Sequence, residues 1–341
     1  MEKVLVGLSG GVDSAATAKI LLDEGYEVRG TFLSFCSHSD PAAARYTAEK
    51  LGIPFTVVKK EKRFEKEVIR PFLESYMAGD TPNPCVECNR RMKFSSLLEE
   101  ADRLGIDKVA TGHYVRTAKN KNGRISLLRG MDDGKDQSYF LWKLTQKQLS
   151  RILFPLGNRK KEDVIPFASG LVTPEERESM EVCFIPDDDT FRFVEENGAY
   201  GKKGNFIDKN GAVLAPHRGI HRYTVGQRRG LGVSAAERLF VVSKDKITGD
   251  IALGRGEELL CDDMWVEDLH YVSCGRKDLP KEGLTVKGRH RGKALPCRLR
   301  FEKGGARVIF AEQTPRFAQG QSACVYLGDE LLMGGVIRSS V

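Results

Sequence analysis

The sequence predicts an α/β fold: a doubly wound parallel-sheet domain, then two small all-β domains, the last a β-barrel. Two observations carry this prediction. In the first half of the chain, short apolar runs alternate with segments of helical period, which is typical of a parallel sheet covered by helices on both faces. After about residue 190, short strand-like runs are broken by Asn-Gly, Thr-Gly and Gly-Gly turns. We expect domains at residues 1–190, 191–258 and 259–341.

The elements of the first domain follow from the apolar pattern. Strands are predicted for KVLVGL, YEVRGTFLSF, PFTVVK and KVATGH, with helices at residues 14–24, PAAARYTAEKLG, EKRFEKEVIRPFLESYMAG and 89–104. The turn NKNG predicts a small hairpin within residues 114–129. SYFLWKL and the segments near residues 145–170 are predicted as further helices. In the second half, strands are predicted within GNFIDKNGAVL, LFVVSKDKITGDIALG and LTVKGRHRGKALPCRLRFEKGGARVIF, with a domain break near GRGEELLCDD.

Composition limits the class of protein. The chain is 40% hydrophobic and 30% charged, as expected of a water-soluble globular protein, and no run approaches the ~18 apolar residues of a membrane span. The N-terminus leads directly into a strand, without the features of a signal peptide. Eight cysteines without a secretory signal indicate a reducing compartment. We therefore expect a cytoplasmic protein with no membrane partner.

Charge is distributed unevenly along the chain. Residues 1–200 hold 30 Lys and Arg against 31 Asp and Glu, whereas residues 201–341 hold 24 against 16. No acid occurs from residue 211 to residue 236, which includes Arg222, Arg228 and Arg229, and KGRHRGK at 287–293 is a second basic cluster. The excess favours a polyanionic partner for the second half, although solvated strand edges also carry Lys and Arg.

The stretch LSGGVDS follows the first strand and has the residues of a phosphate-binding loop. Gly10 and Gly11 allow close approach of an anion, and the following helix directs free N–H groups at it. Asp13 is negatively charged, which suits this place if a magnesium ion accompanies the pyrophosphate of ATP. The alternative is that Asp13 only caps the helix.

Three cysteines are candidates for chemistry. Cys85 and Cys88 form a C-x-x-C pair, and Cys88 is predicted at the N-terminus of a helix, where the dipole lowers the pKa of a thiol. The pair fits a zinc site, a redox pair or sulfur transfer, but no second pair completes a zinc site. Cys183 is the third candidate. The other cysteines are interpreted as buried apolar residues: Cys36, Cys261, Cys274, Cys297 and Cys324.

Several motifs resemble known families. SGGVDS is similar to the signature of the PP-loop ATP pyrophosphatases, which have an adenine-nucleotide alpha-hydrolase-like fold and adenylate a carbonyl oxygen. PNPxxxCN…KF, ATGHYVR, KDQSYFL, LFPLG, VCFI, GIHRYTVGQRRGLG and GQSACVY occur in the order seen in the bacterial tRNA-specific 2-thiouridylases, the MnmA family. The resemblance covers essentially the whole chain. It implies an ATP and Mg²⁺ site at Gly7, Leu8, Ser9, Gly10, Gly11, Val12, Asp13, Ser14, Leu33 and Gly112.

The resemblance also implies a reaction: thiolation of the wobble uridine of tRNA. ATP adenylates the C2 oxygen of the base, and a sulfur nucleophile then displaces AMP. Cys183 corresponds to the cysteine that accepts a persulfide from a donor protein, a cysteine desulfurase or a relay protein. Cys88 corresponds to the cysteine that attacks this persulfide, which leaves a Cys88–Cys183 disulfide.

One residue departs from the family pattern. The family has an acid, in PNPD, where this chain has Cys85. A trio of Cys85, Cys88 and Cys183 resembles the thiolates that hold a [4Fe–4S] cluster in related thiolating enzymes, with free sulfide as the nucleophile on the fourth iron. The persulfide route and the cluster route both remain open at this point.

The same resemblance indicates residues that contact RNA. Asn83, Pro84 and Cys85 would face the target base, with His113 beside it, although a lone histidine is more often a core residue. The resemblance also indicates Lys135, Asp136, Gln137, Arg289, His290 and Gln321. The basic stretch without acids adds Arg222, Arg228 and Arg229 as candidates. Two other functions fit parts of the pattern: a PP-loop enzyme that adenylates a small metabolite, and a non-enzymatic RNA-binding module.

Overall fold

The computed structural model describes residues 1–173, 182–185, 187–235 and 237–340. The first domain contains a five-stranded parallel sheet with the order β3-β2-β1-β4-β7. A separate antiparallel hairpin, β5–β6, follows β4. The strands are β1 (Lys3–Gly7), β2 (Glu27–Ser34), β3 (Phe55–Lys59), β4 (Lys108–Ala110), β5 (Val115–Lys119), β6 (Ile125–Arg129) and β7 (Ile152–Leu153).

Helices of this domain connect the strands and cover the sheet. They are α1 (Val12–Asp23), α2 (Ala42–Leu51), α3 (Glu61–Phe64), α4 (Arg70–Met77), α5 (Pro84–Glu87), α6 (Phe94–Arg103), α7 (Gln146–Leu149), α8 (Lys161–Val164) and α9 (Thr190–Glu196). A π-helical turn, Glu65–Ile69, joins α3 to α4, and another, Cys88–Lys93, joins α5 to α6. Short 3-10 turns occur at Ser138–Phe140 and Ile165–Ala168.

The two faces of the sheet are covered by different helices. Val4 and Val6 of β1 belong to one apolar cluster with Leu21 of α1, whereas Leu5 belongs to another with Leu97 of α6. Successive side chains of a strand point to opposite faces, so helices lie on both sides. The predicted doubly wound α/β architecture is confirmed.

The central part of the chain forms a four-stranded sheet with the order β10-β11-β8-β9. Its strands are β8 (Gly204–Ile207), β9 (Val213–His217), β10 (Phe240–Lys244) and β11 (Ile251–Gly254), with a 3-10 turn at Ile220–Arg222. Phe206, Val241 and Ile251 are at the centre of its apolar core.

The last part of the chain forms a closed six-stranded barrel. The strand order is β12-β15-β14-β13-β16-β17, and β12 also pairs with β17, which closes the sheet. The strands are β12 (Leu260–Tyr271), β13 (Leu284–Lys287), β14 (Leu295–Glu302), β15 (Gly305–Pro315), β16 (Ser322–Leu327) and β17 (Glu330–Ser340), with 3-10 turns at Glu257–Leu259 and Arg276–Asp278. The hairpin of the first domain joins this sheet, because Leu127 and Leu128 of β6 pair with Leu331 and Glu330 of β17.

Some predicted elements differ from the observed ones. The helix expected at residues 89–104 begins earlier, at Pro84, whose missing N–H is no loss at a first helical position. SYFLWKL forms only a 3-10 turn at its start. The two-residue strand β7 was not predicted, because two residues carry no recognisable period. Among the described residues, no helix combines the length and the apolar character needed to cross a membrane.

Candidate active site

The loop between β1 and α1 is held by its own serines. Ser14 Oγ accepts the Ser9 N–H at 3.1 Å and donates to the Gly11 carbonyl at 2.9 Å, and the Gly11 N–H donates to Ser9 Oγ at 3.3 Å. Gly10 has a φ of +94°, and a Cβ there would lie 2.6 Å from Ala43 Cβ of α2. The loop therefore depends on a glycine at residue 10 and presents the N-terminus of α1 to an anion.

Asp13 does not cap the helix. Gly11 occupies the capping position, and no side chain accepts a hydrogen bond there. The Asp13 carboxylate instead accepts hydrogen bonds from Tyr114 Oη at 2.7 Å and from Lys161 Nζ at 2.6 Å. Lys161 was not selected from the sequence. A cation and a carboxylate thus meet beside the phosphate loop.

The end of β4 lies directly against this loop. A Cβ on Gly112 would come within 2.9 Å of the Asp13 carbonyl group, so only glycine fits here. Leu33, at the end of β2, is partly buried in the core between β1 and α6. Both residues lie at the carboxyl ends of parallel strands, where open α/β sheets bind ligands. The predicted nucleotide residues at 7–14, 33 and 112 therefore come from one edge of the sheet.

Cys88 is not at a helix N-terminus, so the predicted activation by the helix dipole is wrong. It follows α5, one turn into the helix, and is 9% exposed. Burial raises the pKa of the Cys88 thiol to about 12, and the ammonium of Lys93 opposes this rise. The positive charge that favours the Cys88 thiolate therefore comes from the Lys93 side chain, on the same π-helical turn, and not from a helix dipole.

Cys85, Cys88 and Cys183 lie close enough for their charges to interact. Burial and, to a smaller extent, the charge of Cys183 raise the pKa of Cys85 to about 11. Burial is also the main cause of the raised pKa of Cys183, although Cys183 as a residue is exposed. The charge of Lys93 lowers the pKa of all three thiols. The fold thus brings the three candidate thiols together around one lysine.

Aromatic rings pack beneath these thiols. Phe64 of α3 packs edge-on against Phe184 with ring centroids 5.6 Å apart, and Phe72 of α4 packs against the same ring at 5.2 Å. Cys88 belongs to the same apolar cluster, and Cys36 packs against it. Cys36 therefore lies next to the cluster that contains Cys88. The sequence predicts Cys36 only as a buried apolar residue, apart from the candidate thiols.

His113 is a buried histidine next to the phosphate loop. It is 7% exposed and hydrogen-bonds Thr111 Oγ1 through Nδ1 at 2.8 Å. Burial holds its pKa well below the usual range, and the nearby charge of Lys93 lowers it further. His113 follows Gly112, which touches Asp13. The charge of Lys93 thus acts both on the thiols and on a histidine next to the phosphate loop.

The donor groups of the site are one carboxylate beside the phosphate loop and three thiols near Lys93. Magnesium is commonly held by one or two carboxylates together with substrate phosphates, and Asp13 supplies one such carboxylate beside the loop. Among the residues that the structure describes, no three His, Cys, Asp or Glu side chains are placed to share a metal ion. The thiols as placed do not form a preorganised metal site.

Several residues predicted to contact RNA make contacts inside the protein. Asp136 is buried, and its carboxylate accepts the Ser138 N–H at 3.0 Å. Gln137 Oε1 accepts the Tyr114 N–H at 3.0 Å. His290 lies with Nε2 3.1 Å from the Asp136 carbonyl oxygen. An RNA contact by these side chains stays a prediction.

Other predicted RNA residues lie at domain junctions or on the surface. Arg222 Nε and Nη2 donate to the two carboxylate oxygens of Glu195. Gln321 Nε2 donates to the Thr81 carbonyl at 2.9 Å. Asn83 precedes α5, which begins with Pro84 and Cys85. The remaining candidates are exposed: Lys135, Arg228, Arg229 and Arg289.

Comparison with known proteins agrees with this domain order. Family models match residues 2–187 (tRNA methyl transferase HUP domain), 192–255 (tRNA methyl transferase PRC-barrel domain) and 261–337 (Aminomethyltransferase beta-barrel domain). The tRNA-specific 2-thiouridylase MnmA of Geobacter metallireducens is 42% identical over 100% of this chain and 98% of that protein. The Geotalea uraniireducens protein of the same name is 40% identical over 100% and 96%. The chain belongs to the MnmA family.

Solved structures are more distant from this MnmA-family chain. A "predicted subunit of tRNA methyltransferase" from Methanocaldococcus jannaschii has a TM-score of 0.38 and 20% identity, over 58% of this chain and 89% of that one. The U34-tRNA thiolase NcsA of Methanococcus maripaludis, solved with its [4Fe-4S] cluster, has a TM-score of 0.33 and 18% identity, over 57% and 67%. Likeness at this level carries no information about the active site of an MnmA-family chain.

Proposed function

We propose that the protein transfers sulfur to C2 of the wobble uridine of tRNA at the expense of ATP, in the cytoplasm. One observation supports the proposal: Cys88 and Cys183, far apart in sequence, are near enough for their charges to interact, and Phe184, which follows Cys183, packs in the same apolar cluster as Cys88. A PP-loop enzyme acting on a small metabolite would need the loop but not this pair of thiols. The relatives are named tRNA-specific 2-thiouridylases, which agrees with a sulfur-transfer reaction.

In the first half-reaction, the uridine O2 attacks the α-phosphorus of ATP, and pyrophosphate leaves. The loop from Ser9 to Gly11 and the N-terminus of α1 would bind the phosphates through N–H groups. Asp13 would hold the magnesium ion that accompanies pyrophosphate. Lys161, released from Asp13, is positioned to neutralise phosphate oxygens. Leu33 and Gly112, at the strand ends, would lie against the adenine.

In the second half-reaction, a persulfide on Cys183 supplies the sulfur. Cys183 is exposed, so a donor protein can reach it. The terminal sulfur attacks C2 and AMP leaves; Cys88 then attacks Cys183 Sγ. This step frees the 2-thiouridine and forms a Cys88–Cys183 disulfide. The ammonium of Lys93 favours the attacking thiolate of Cys88.

The β domains would hold the tRNA backbone. The excess of Lys and Arg after residue 200 and the exposure of Arg228, Arg229 and Arg289 support phosphate contacts. We expect tRNA affinity to fall linearly with salt on a logarithmic plot, by at least about tenfold over a fourfold rise in salt concentration. A tRNA affinity that does not change with salt concentration would contradict an interface dominated by contacts to the tRNA phosphates.

The sulfur route is tested with protein purified without oxygen. Iron and acid-labile sulfide are measured first; the protein then receives tRNA, Mg-ATP and a cysteine desulfurase with cysteine, and 2-thiouridine is quantified by mass spectrometry. We expect no iron, and product that disappears in Cys88→Ser and Cys183→Ser, by at least about 10³-fold. Cys297→Ser, a buried barrel thiol, is the control. Stoichiometric iron with activity on free sulfide alone would instead support the [4Fe–4S] route through Cys85, Cys88 and Cys183.

The magnesium role of Asp13 has its own test. Asp13→Ala removes the carboxylate beside the loop, so tRNA-dependent pyrophosphate release should fall by about 10²-fold or more, while tRNA affinity stays within twofold. Asp23→Ala changes an exposed acid at the other end of the same helix, where it pairs with Lys19, and should leave the rate unchanged. An active Asp13→Ala variant would exclude the role.

A further inference from the structure

Aromatic rings link the segment of Cys36 to the segment of Cys183. Phe35, its neighbour in sequence, stacks on Phe64 with centroids 5.1 Å apart and planes 8° from parallel. Phe64 also packs edge-on against Phe184, which directly follows Cys183. Two cysteines from distant segments are thus each one residue away from a ring that packs on Phe64.

The backbone around Cys36 is fixed. Its N–H donates to Ser39 Oγ at 3.1 Å, and its carbonyl accepts the Ser39 N–H at 3.0 Å. The side chain is half-buried and packs against the cluster that contains Cys88. The charge of Cys183 acts on Cys36 as it acts on Cys85 and Cys88. Cys36 is therefore the fourth thiol of the group that contains Cys85, Cys88 and Cys183.

The surroundings of Cys36 and Cys88 differ in charge. Lys93 favours the thiolate of Cys88 but is not among the groups that act on Cys36. Cys36 instead lies near the carboxylate of Glu61, which disfavours its thiolate. In thiol–disulfide exchange the sulfur that carries the more stable thiolate leaves faster. The pKa of Cys36 and the pKa of Cys88 are each raised to about 12, mainly by burial, so the exchange of Cys183 between these two thiols is close to balanced.

We propose that Cys36 is the resolving thiol of this enzyme: it attacks Cys183 Sγ in the Cys88–Cys183 disulfide and returns Cys88 to its free form. The inference rests on the proposed persulfide route. The S–S bond between Cys88 and Cys183 breaks, a bond between Cys36 and Cys183 forms, and the proton lost by Cys36 ends on Cys88. No electrons are lost or gained overall. A dithiol reductant from outside then reduces the Cys36–Cys183 disulfide at the exposed Cys183.

The test is a single turnover without a dithiol reductant. Wild-type protein carrying a persulfide receives tRNA and Mg-ATP, the reaction is quenched in acid with an alkylating agent, and disulfide-linked peptides are mapped by mass spectrometry. We expect a Cys36–Cys183 link and alkylated Cys88. In Cys36→Ser we expect a Cys88–Cys183 link, an unchanged yield of 2-thiouridine in the first turnover, and later turnovers slower by about tenfold with a dithiol present.

Cys274→Ser, a buried thiol of the barrel, is the matched control and should behave as wild type in both measurements. Free Cys36 in every mapped wild-type sample, or normal repeated turnover by Cys36→Ser, overturns the resolving role while leaving the proposed function intact. A wild-type protein that thiolates no tRNA overturns both. A Cys36→Ala variant with the same disulfide map as Cys36→Ser separates the loss of the thiol from a polarity effect in the aromatic cluster.

Discussion

Two side chains contact Asp13, and each has a different consequence for catalysis. Tyr114 Oη donates a hydrogen bond to the carboxylate, which fixes its orientation. Lys161 is held from a separate element, since its backbone N–H donates to Asp132 Oδ2 at 2.9 Å. When a magnesium ion takes the carboxylate, the ammonium of Lys161 is free to turn to the phosphates. We therefore expect Asp13 and Lys161 to exchange partners when nucleotide binds.

Lys161→Met should raise the KM for ATP by about ten- to a hundredfold, because a hydrogen bond to a charged group contributes about 1.5–3 kcal/mol. The measurement is pyrophosphate release at varied ATP and saturating tRNA. Lys160→Met is the matched control, since the side chain of Lys160 is largely exposed and lies near Glu162. Equal KM values for the two variants would show that Lys161 does not reach the phosphates.

The raised pKa of Cys88 predicts a pH dependence. The thiolate is the reactive form and its fraction rises tenfold per pH unit below the pKa, so alkylation of Cys88 should accelerate about tenfold per unit from pH 7 to 10 without a plateau. Lys93→Gln should slow alkylation at every pH in this range, while Lys62→Gln, an exposed lysine of α3, should not. Because burial raises the thiol pKa above its usual value of about 9, the fold also loses stability as the pH rises above about 9. A plateau in the alkylation rate near pH 8 would contradict the burial of the Cys88 thiol.

Sequence reasoning found the residues that lie in local patterns and missed those that act only through the fold. Asp13 stands in a phosphate-loop motif, and Cys88 and Cys183 stand in family motifs. Lys161 is one of two adjacent lysines that look like solvated charge, and Cys36 has an apolar context typical of packing. Neither sequence position indicates a neighbour more than a hundred residues away, so only the tertiary contacts identify them.

At the scale of elements, the site depends on strand ends that touch a loop. β4 ends so close to the β1–α1 loop that Gly112 lies against the Asp13 backbone. The order of β1, α1 and β2 followed from the alternation of apolar runs. The start of α5 at Asn83-Pro84 could also have been recognised, since proline favours the first helical position. The π-helical turn after it could not, because no sequence period specifies the extra residue.

Gly112→Ala should displace Asp13, because the new methyl group would lie 2.9 Å from its carbonyl carbon and oxygen. We expect a loss of stability of about 1–3 kcal/mol and pyrophosphate release at least tenfold slower. Gly256→Ala is the control, since its nearest neighbour would be the Phe240 ring at 4.0 Å. Thermal unfolding and pyrophosphate assays on both variants measure the two effects. A Gly112→Ala protein with normal stability and activity would show that the loop can move aside without cost.

At the scale of the whole molecule, the first domain and the barrel share a core. Leu5 and Phe94 of the α/β domain belong to one apolar cluster with Val272 and Tyr326 of the barrel. Trp142 is 1% exposed, and its indole N–H donates to Ser322 Oγ of the barrel at 2.9 Å. The family motifs place these segments in separate domains, so this shared core could not be inferred from domain order.

A chain that ends at residue 258 should therefore fail to fold. It would expose the barrel-facing part of the shared core and leave β6 without its partner β17. We expect aggregation or loss of near-ultraviolet circular dichroism in this truncated protein. In the full chain, Trp265→Phe leaves Trp142 as the single tryptophan, which reports on the interface by fluorescence. Its unfolding midpoint in denaturant should coincide with that of the far-ultraviolet signal, since the parts that share a core lose it together. A truncated protein that unfolds cooperatively at the temperature of the full chain would show instead that the α/β domain is stable without the barrel.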